Sequence, residues 1–322
     1  MSKNTKKWLV VAVLLILLGT AVLAITGCSI DFDFTRLQSE KYTIKTYEVN
    51  DEFNSISIKA DTANVSFIHS ANEKCRVECS ESKNVKYLVR AQNGQLTIEI
   101  IDTRKWYEHI NFNFEEEKIA VYLPQKEYLS LVINASTGGV EIPNDFSFES
   151  VNVAVSTGAI KCYSSAKNIK INASTGSVCV ENISTDLLEV NLSTGNVTML
   201  NVNCNGLIKI DLSTGKTQLI NVTCKSVSSS GSTGDISLNN VIALKNFYIT
   251  RSTGDVYFEG CDAAQTYIKT DTGDVEGSFL SEKVFTVSTD TGKIQVPNSS
   301  SGGRCEIITD TGDIEINIKN AE

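Results

Sequence analysis

One tripeptide, Ser-Thr-Gly or Asp-Thr-Gly, occurs ten times between Ser136 and Gly312. Its glycines are Gly138, Gly158, Gly176, Gly195, Gly215, Gly234, Gly254, Gly273, Gly292 and Gly312, separated by 20, 18, 19, 20, 19, 20, 19, 19 and 20 residues. A self-similar period of this size marks a solenoid, in which each repeat buries its apolar face only by stacking on its neighbours. The spacing predicts an all-β, parallel β-solenoid of about ten 19–20-residue coils.

Registering the repeats on their glycines separates inward from outward residues. Seven, five and three positions before the glycine stand Val151, Val153 and Val155, or Ile208, Ile210 and Leu212, or Ile169, Ile171 and Ala173. This alternation describes a strand with one buried face. It resumes two and four positions after the glycine, as in Val197 and Met199, Ile236 and Leu238, and Val256 and Phe258. Each Thr-Gly is therefore a corner between two strands, with glycine free to take a positive φ. A second corner is expected six positions after the glycine, at Asn182, Asn201, Asn221, Asn240, Gly260 and Asn298, residue types that tolerate the left-handed region. A third apolar pair follows, such as Val202 with Cys204 and Val222 with Cys224. Coils one strand spacing apart give a rod on the order of 45 Å long.

The N-terminus reads as an export signal. Lys3, Lys6 and Lys7 precede the apolar run Trp8 to Ile25, and Ile25-Thr26-Gly27-Cys28 resembles a lipobox with Cys28 as the lipidated residue. The run is also near the short limit for a membrane-spanning helix, so a lipid anchor, an uncleaved span and plain secretion stay open. All three place the rest of the chain on the extracytoplasmic face of the cell membrane, with the lysines inside. Residues 29–49 read as a polar stalk, residues 50–128 as an N-terminal β cap with degenerate repeats, and residues 129–322 as the solenoid. Within the cap, Asp61-Thr62-Ala63-Asn64-Val65 is a worn copy of the corner, and Asn93-Gly94 predicts a hairpin. Arg104 to His109 reads as a packed cap loop in preference to an aromatic contact loop.

The serial turns, together with Asp61–Val65, Asp102-Thr103-Arg104-Lys105-Trp106-Tyr107 and Gly260-Cys261-Asp262-Ala263-Ala264, resemble a family of bacterial β-strand-repeat proteins. That family is a domain of unknown function labelled putative adhesin, found mainly in Gram-positive bacteria, and the resemblance covers about residues 45–320. It implies an envelope-anchored β-solenoid that serves as an adhesin or cell-surface binding scaffold. Proximity of some relatives to envelope-stress regulators implies an accessory or sensor role as the alternative. The family supplies no catalytic residues to carry over.

The residues themselves exclude several chemistries. A net charge of −9 and the lack of a basic stripe argue against a nucleic-acid partner, leaving the membrane, a cell-wall polymer or an envelope protein. Asp-Thr-Gly at Asp271, Asp290 and Asp310 suggests an aspartic-protease loop, but seven other members of the same register carry serine, so the tripeptide reads as a turn. A polysaccharide-active β-helix enzyme needs long loops for a groove, and coils this uniform leave little room for them. His69 and His109 show no metal spacing, and the chain implies no cofactor. Asp271, Asp290 and Asp310 in one row, with Asp255, Asp274 and Asp313 in another, are calcium candidates set against the reading of a solvated turn row, with Lys293 interrupting the second.

Nine cysteines in an exported chain raise the question of disulfides. Registration places Cys162, Cys204, Cys224, Cys261 and Cys305 inward as small core residues and Cys179 outward. Cys75 and Cys79 lie too far apart along one strand face to bridge, which leaves Cys204–Cys224, on adjacent coils, as the one plausible pair.

Overall fold

The computed structural model describes residue 7 and residues 12–21, 41–104 and 117–319. Residues 12–21 are helical, and no helix among the described residues is long and apolar enough to cross a membrane. Cys28, the segment 29–40 and Lys105 to His109 lie outside the described residues. The remainder is β-structure. The first seven strands are β1 (Thr43–Val49), β2 (Ser55–Thr62), β3 (Asn64–His69), β4 (Cys75–Glu81), β5 (Val85–Gln92), β6 (Gln95–Asp102) and β7 (Lys118–Leu123). The coils comprise β8 (Glu127–Thr137), β9 (Val140–Ile142), β10 (Ser147–Thr157), β11 (Ile160–Cys162), β12 (Ala166–Thr214), β13 (Thr217–Thr233), β14 (Ile236–Thr253) and β15 (Val256–Thr272). They end with β16 (Val275–Phe279), β17 (Lys283–Thr291), β18 (Ile294–Gln295), β19 (Gly303–Thr311) and β20 (Ile314–Ile318).

Each coil is hydrogen-bonded in parallel register to the next, with Val151 beside Ile169, Val197 beside Thr217 and Cys204 beside Cys224. The 49-residue strand β12 runs through successive corners, because the inter-coil ladder persists around them. The alternation places its apolar residues as expected: Val153, Ile171, Val190, Ile210 and Met199 are fully buried. A single continuous core fills the rod.

The Thr-Gly corners stack directly on one another. Each glycine lies in the positive-φ range, between +122° and +159°. A side chain is excluded there for a second reason. A Cβ on Gly195 would lie 1.6 Å from the Gly176 carbonyl oxygen, and one on Gly215 would lie 1.6 Å from that of Gly195. The same overlap recurs along the row down to Ala63, which takes the glycine site of the first coil. The worn copy at Asp61–Val65 is thus the true start of the stack, with β2 on β8 and β3 on β9.

The second corner is built from asparagines. Asn182, Asn201, Asn221 and Asn240 have φ between 51° and 56°, and Gly260 has 59°. Their amides form a ladder: Asn201 Nδ2 donates to Asn182 Oδ1 (2.8 Å), Asn221 to Asn201 (3.0 Å) and Asn240 to Asn221 (3.0 Å). Asn298 is not among the positive-φ residues. The chain leaves the coil at Pro297, and its left-handed turn falls at Gly302 instead.

The stack order at the C-terminal end departs from the chain order. β19 pairs with β15 on one side and β17 on the other, and β20 lies between β16 and β18. The row of glycines therefore runs Gly254, Gly273, Gly312, Gly292. The last coil in sequence is slotted inside the one before it.

The N-terminal end is closed by antiparallel strands. β5 and β6 form the expected hairpin, with Asn93 and Gly94 both at positive φ, and β6 runs parallel to β2. β4 pairs antiparallel with β7 and with β1. Thr43–Val49, assigned to the stalk on sequence, is β1, an exposed edge strand whose Tyr47 and Val49 pack against the core.

Two glycine substitutions contrast the stacked corner with the open one. Gly215→Ala places a methyl group inside van der Waals contact with backbone, and we expect a loss above about 3 kcal/mol or failure to fold. Gly260→Ala lies at a φ of +59°, the left-handed region that asparagines occupy at the same corner, with nothing within 4 Å, so about 1 kcal/mol is expected. Denaturant unfolding of both proteins is the measurement, and equal losses contradict the stacking argument.

Candidate functional site

An open groove of about 580 Å³ crosses successive coils along the rod. Its walls are two outward rows of the strand that precedes the glycine. Four positions before it stand Asn134, Ala154, Asn172, Asn191 and Asp211, and two positions before it stand Ser136, Ser156, Ser174, Ser193 and Ser213. The intervening position points inward and is small or aliphatic, as Ala135, Val155, Ala173 and Leu192, so the groove floor is shallow.

The two outward rows are mostly polar and nearly uncharged, over a floor of small and aliphatic residues. Asn191 Nδ2 donates to Asn172 Oδ1 at 2.9 Å, repeating the corner ladder on the open face. Charges stand only at its ends: Lys59 is held by Glu99 at 3.1 Å, and Asp211 by Lys209 at 2.8 Å and by the Ser230 hydroxyl. Burial would raise the Asp211 carboxyl, but the hydrogen bonds from Lys209 and Ser230 outweigh it and hold it below the usual range. The five serine hydroxyls are exposed, and among the described residues none has a protein hydrogen-bond partner. The arrangement offers one hydroxyl per coil and, in every coil but that of Ala154, one amide or carboxylate, repeated at the strand spacing of about 4.8 Å.

One of the two acidic rows has a structural role. Where the residue after the corner is Asp or Asn, its side chain accepts a hydrogen bond from the backbone N–H of its counterpart in the next coil. Asp255 N–H donates to Asp235 (3.3 Å), Asp274 N–H to Asp255 (2.9 Å), Asp313 N–H to Asp274 (2.7 Å) and Lys293 N–H to Asp313 (2.7 Å). Asn64 and Asn196 serve Gly139 and Lys216 in the same way. Lys293 interrupts the row in sequence but terminates it in space. Its coil is outermost, so no further amide needs an acceptor there. Asp271, Asp310 and Asp290 lie in that spatial order, two positions before the glycine, with Asp271 paired to Lys269 at 3.5 Å. Among the described residues no three His, Cys, Asp or Glu side chains converge as a metal cluster.

The cysteines follow the register. Cys75, Cys79, Cys162, Cys204, Cys224, Cys261 and Cys305 are buried free thiols, and Cys179 is half-exposed. Cys204 and Cys224 are register partners, yet the Cys204 thiol donates to the carbonyls of Asp186 and Leu207. Burial pushes the Cys224 thiol up to about 12, which removes its nucleophilic character. His69 is exposed, 3.8 Å from Glu73, and His109 lies outside the described residues.

Three features escaped sequence reasoning. Tyr248 and Tyr267, one repeat apart, stack with ring centroids 5.1 Å apart on the strand face that carries the groove. Registering outward positions as well as inward ones is the signal that finds them. Arg251 occupies an inward position, opposite Gly231, and its guanidinium donates to Thr217, Ser229 and the Thr250 carbonyl. With neutral acceptors only, burial pulls it down to about 10. In the cap, Glu81 accepts from the Tyr47 hydroxyl and the Tyr87 N–H, while Glu117 accepts from Tyr42 and Thr62. Burial raises the Glu117 carboxyl against those bonds. These contacts fasten β1 and the ends of the 104–117 connection to the cap.

The capping role of the second acidic row is testable. Asp274→Ala removes the acceptor of the Asp313 amide and is expected to cost about 1 kcal/mol. Asp274→Asn keeps the acceptor and relieves a neighbouring repulsion of roughly 1 kcal/mol, so it should be neutral or stabilising. Millimolar calcium should leave the wild-type Tm unmoved. A calcium-dependent rise that disappears in Asp271→Asn/Asp290→Asn/Asp310→Asn assigns the rows to metal instead.

The groove and corners can be set beside known proteins. A crystal structure of a putative adhesin from Bacteroides fragilis is 16% identical, with 87% of this chain and 98% of that one covered at a TM-score of 0.41. A putative lipid binding protein from Parabacteroides distasonis is 12% identical over 85% and 97% of the two chains, at 0.46. A putative adhesin from Parabacteroides merdae is 15% identical over 74% and 96%, at 0.44. No curated protein matches the sequence. The model of the Toastrack DUF4097 family matches residues 53–240 and 188–322, and this chain belongs to that family.

Proposed function

We propose that the protein is a non-catalytic, extracytoplasmic binding scaffold of the adhesin type, tethered at the membrane through its N-terminus. In this reading the groove holds an extended, uncharged, hydroxyl-rich polymer such as a cell-wall glycan. The observation that carries it is the row of serine hydroxyls repeated at each of the five coils, beside a row with asparagine amides at three of them. A repeating polymer meets such a surface with one set of contacts per unit, and weak contacts add along the chain. The net charge of −9 and the scarcity of cations in the groove disfavour an anionic polymer. Acid–base catalysis needs a titratable pair placed about a scissile bond. The middle of the groove, from Ala154 to Ser193, is lined by serine, asparagine, alanine, valine and leucine, none of them titratable. The tether rests on Lys3, Lys6 and Lys7 before the apolar run and on Cys28 in the lipobox position.

The test is sedimentation of the full chain with purified cell wall. Wild type should co-sediment, and Asn172→Ala/Asn191→Ala with Ser174→Ala/Ser193→Ala should lose at least tenfold in affinity while keeping its β spectrum. Equal binding by the variant removes the groove from the account. New reducing ends in the wall fraction replace the scaffold reading with an enzymatic one.

A further inference from the structure

The two ends of the rod are finished differently. At the N-terminal end the cap strands lie over the first coil, and Ile56, Ile58 and Val65 there are at most 1% exposed. At the opposite end the outermost coil is β17–β18. Ile294 is the register partner of Ile314 and holds the same inward position, yet it is 46% exposed where Ile314 is 1%. Phe285 and Val287, in register with the fully buried Cys305 and Ile307, are only partly buried, as is Val296. One edge of β17 bonds to β19, and among the described residues no strand pairs with its other edge.

An open edge of this kind is normally guarded by charge, proline or a bulge. Along β17 the only charged residues are Lys283 and Asp290. Lys283 is buried, with its ammonium on Asp262 and on the Ala263 carbonyl (2.9 Å), so it does not guard the edge. Pro297 follows β18 and is off the long strand.

We infer that this end is an interface with a second copy of the chain, formed by antiparallel pairing of β17 with its two-fold mate. The nine-residue strand is centred on Val287. Pairing about that centre sets Val287 opposite itself, Phe285 opposite Thr289, Thr286 opposite Ser288 and Val284 opposite Asp290. Side chains alternate with period two, so every inward residue remains inward across the joint. The two cores become continuous through Phe285, Val287, Ile294 and Val296, and no like charges face each other. A two-fold contact of this type is self-complementary and closes after two copies. The product is a doubled rod with its two caps, and the described N-terminal strands, at the far ends.

The full chain in detergent, measured by light scattering after size exclusion, should have the mass of two polypeptides. Val287→Lys/Ile294→Lys, which sets two lysines opposite each other at the centre of the joint, should return it to one polypeptide with an unchanged β circular-dichroism spectrum. As an arm that does not depend on that variant folding, chains carrying Thr286→Cys and Ser288→Cys are mixed and oxidised. The mixture should give a covalent dimer in at least several-fold greater yield than either chain alone. A single-polypeptide mass for wild type at tens of micromolar overturns the inference, as does a lysine variant that stays dimeric. Failure of the mixed thiols to cross-link above the single variants overturns the proposed register.

Discussion

The contact on which the structure depends is glycine over carbonyl. At each Thr-Gly corner the chain changes direction with its backbone pressed against the corner beneath. The Gly195 and Gly215 positions leave 1.6 Å for a Cβ that would need more than 3 Å. The coil can therefore turn sharply only where the residue has no side chain and φ is positive. The strands on either side need only alternation, which many residues satisfy. The corner needs glycine, and this is why one tripeptide recurs while the rest of each coil drifts in sequence.

Backbone polar groups at a stacked corner must still find partners, because stacking excludes water from one side. Two side-chain rows meet that demand. The asparagine ladder ties the second corner together, and the Asp/Asn row after the glycine supplies an acceptor to the next coil's amide. Carboxylates at this spacing repel by roughly the amount that one hydrogen bond returns. The chain accordingly uses Asn64 and Asn196 as well as aspartates for the same task. Of the two acidic rows, the one with Asp255, Asp274 and Asp313 is a repeated capping device. The groove on the neighbouring face owes its polarity to rows that the corner does not use.

Most of the fold was legible because the period registers itself. Val151, Val153 and Val155 had to be inward, Cys204 had to meet Cys224, and the left-handed corner had to fall at Asn182 and its equivalents. The order of the last two coils was not legible, since Gly292 and Gly312 are 20 residues apart whichever lies outermost. Lys293 fits the outermost coil, where no further amide needs an acceptor, but Lys216 holds the same position inside the stack, so that residue alone did not reveal the order. Asn298 was misplaced for a related reason: its coil ends early at Pro297 to let the chain return inward. The groove and the Tyr248–Tyr267 pair depend on outward residues brought together across coils, which inward periodicity does not reveal.

The central claim is that the chemistry of each row follows the spatial stack and not the order of the chain. Dipolar broadening between nitroxide labels on exposed corner positions measures this directly. Labels at Asp271 and Asp310 should lie about one strand spacing apart at the backbone, roughly 5 Å, and those at Asp271 and Asp290 about two, roughly 10 Å. The account predicts stronger broadening for the 271/310 pair, although 39 residues separate it in sequence against 19 for 271/290. Stronger broadening for 271/290 would place the coils in chain order and contradict the account.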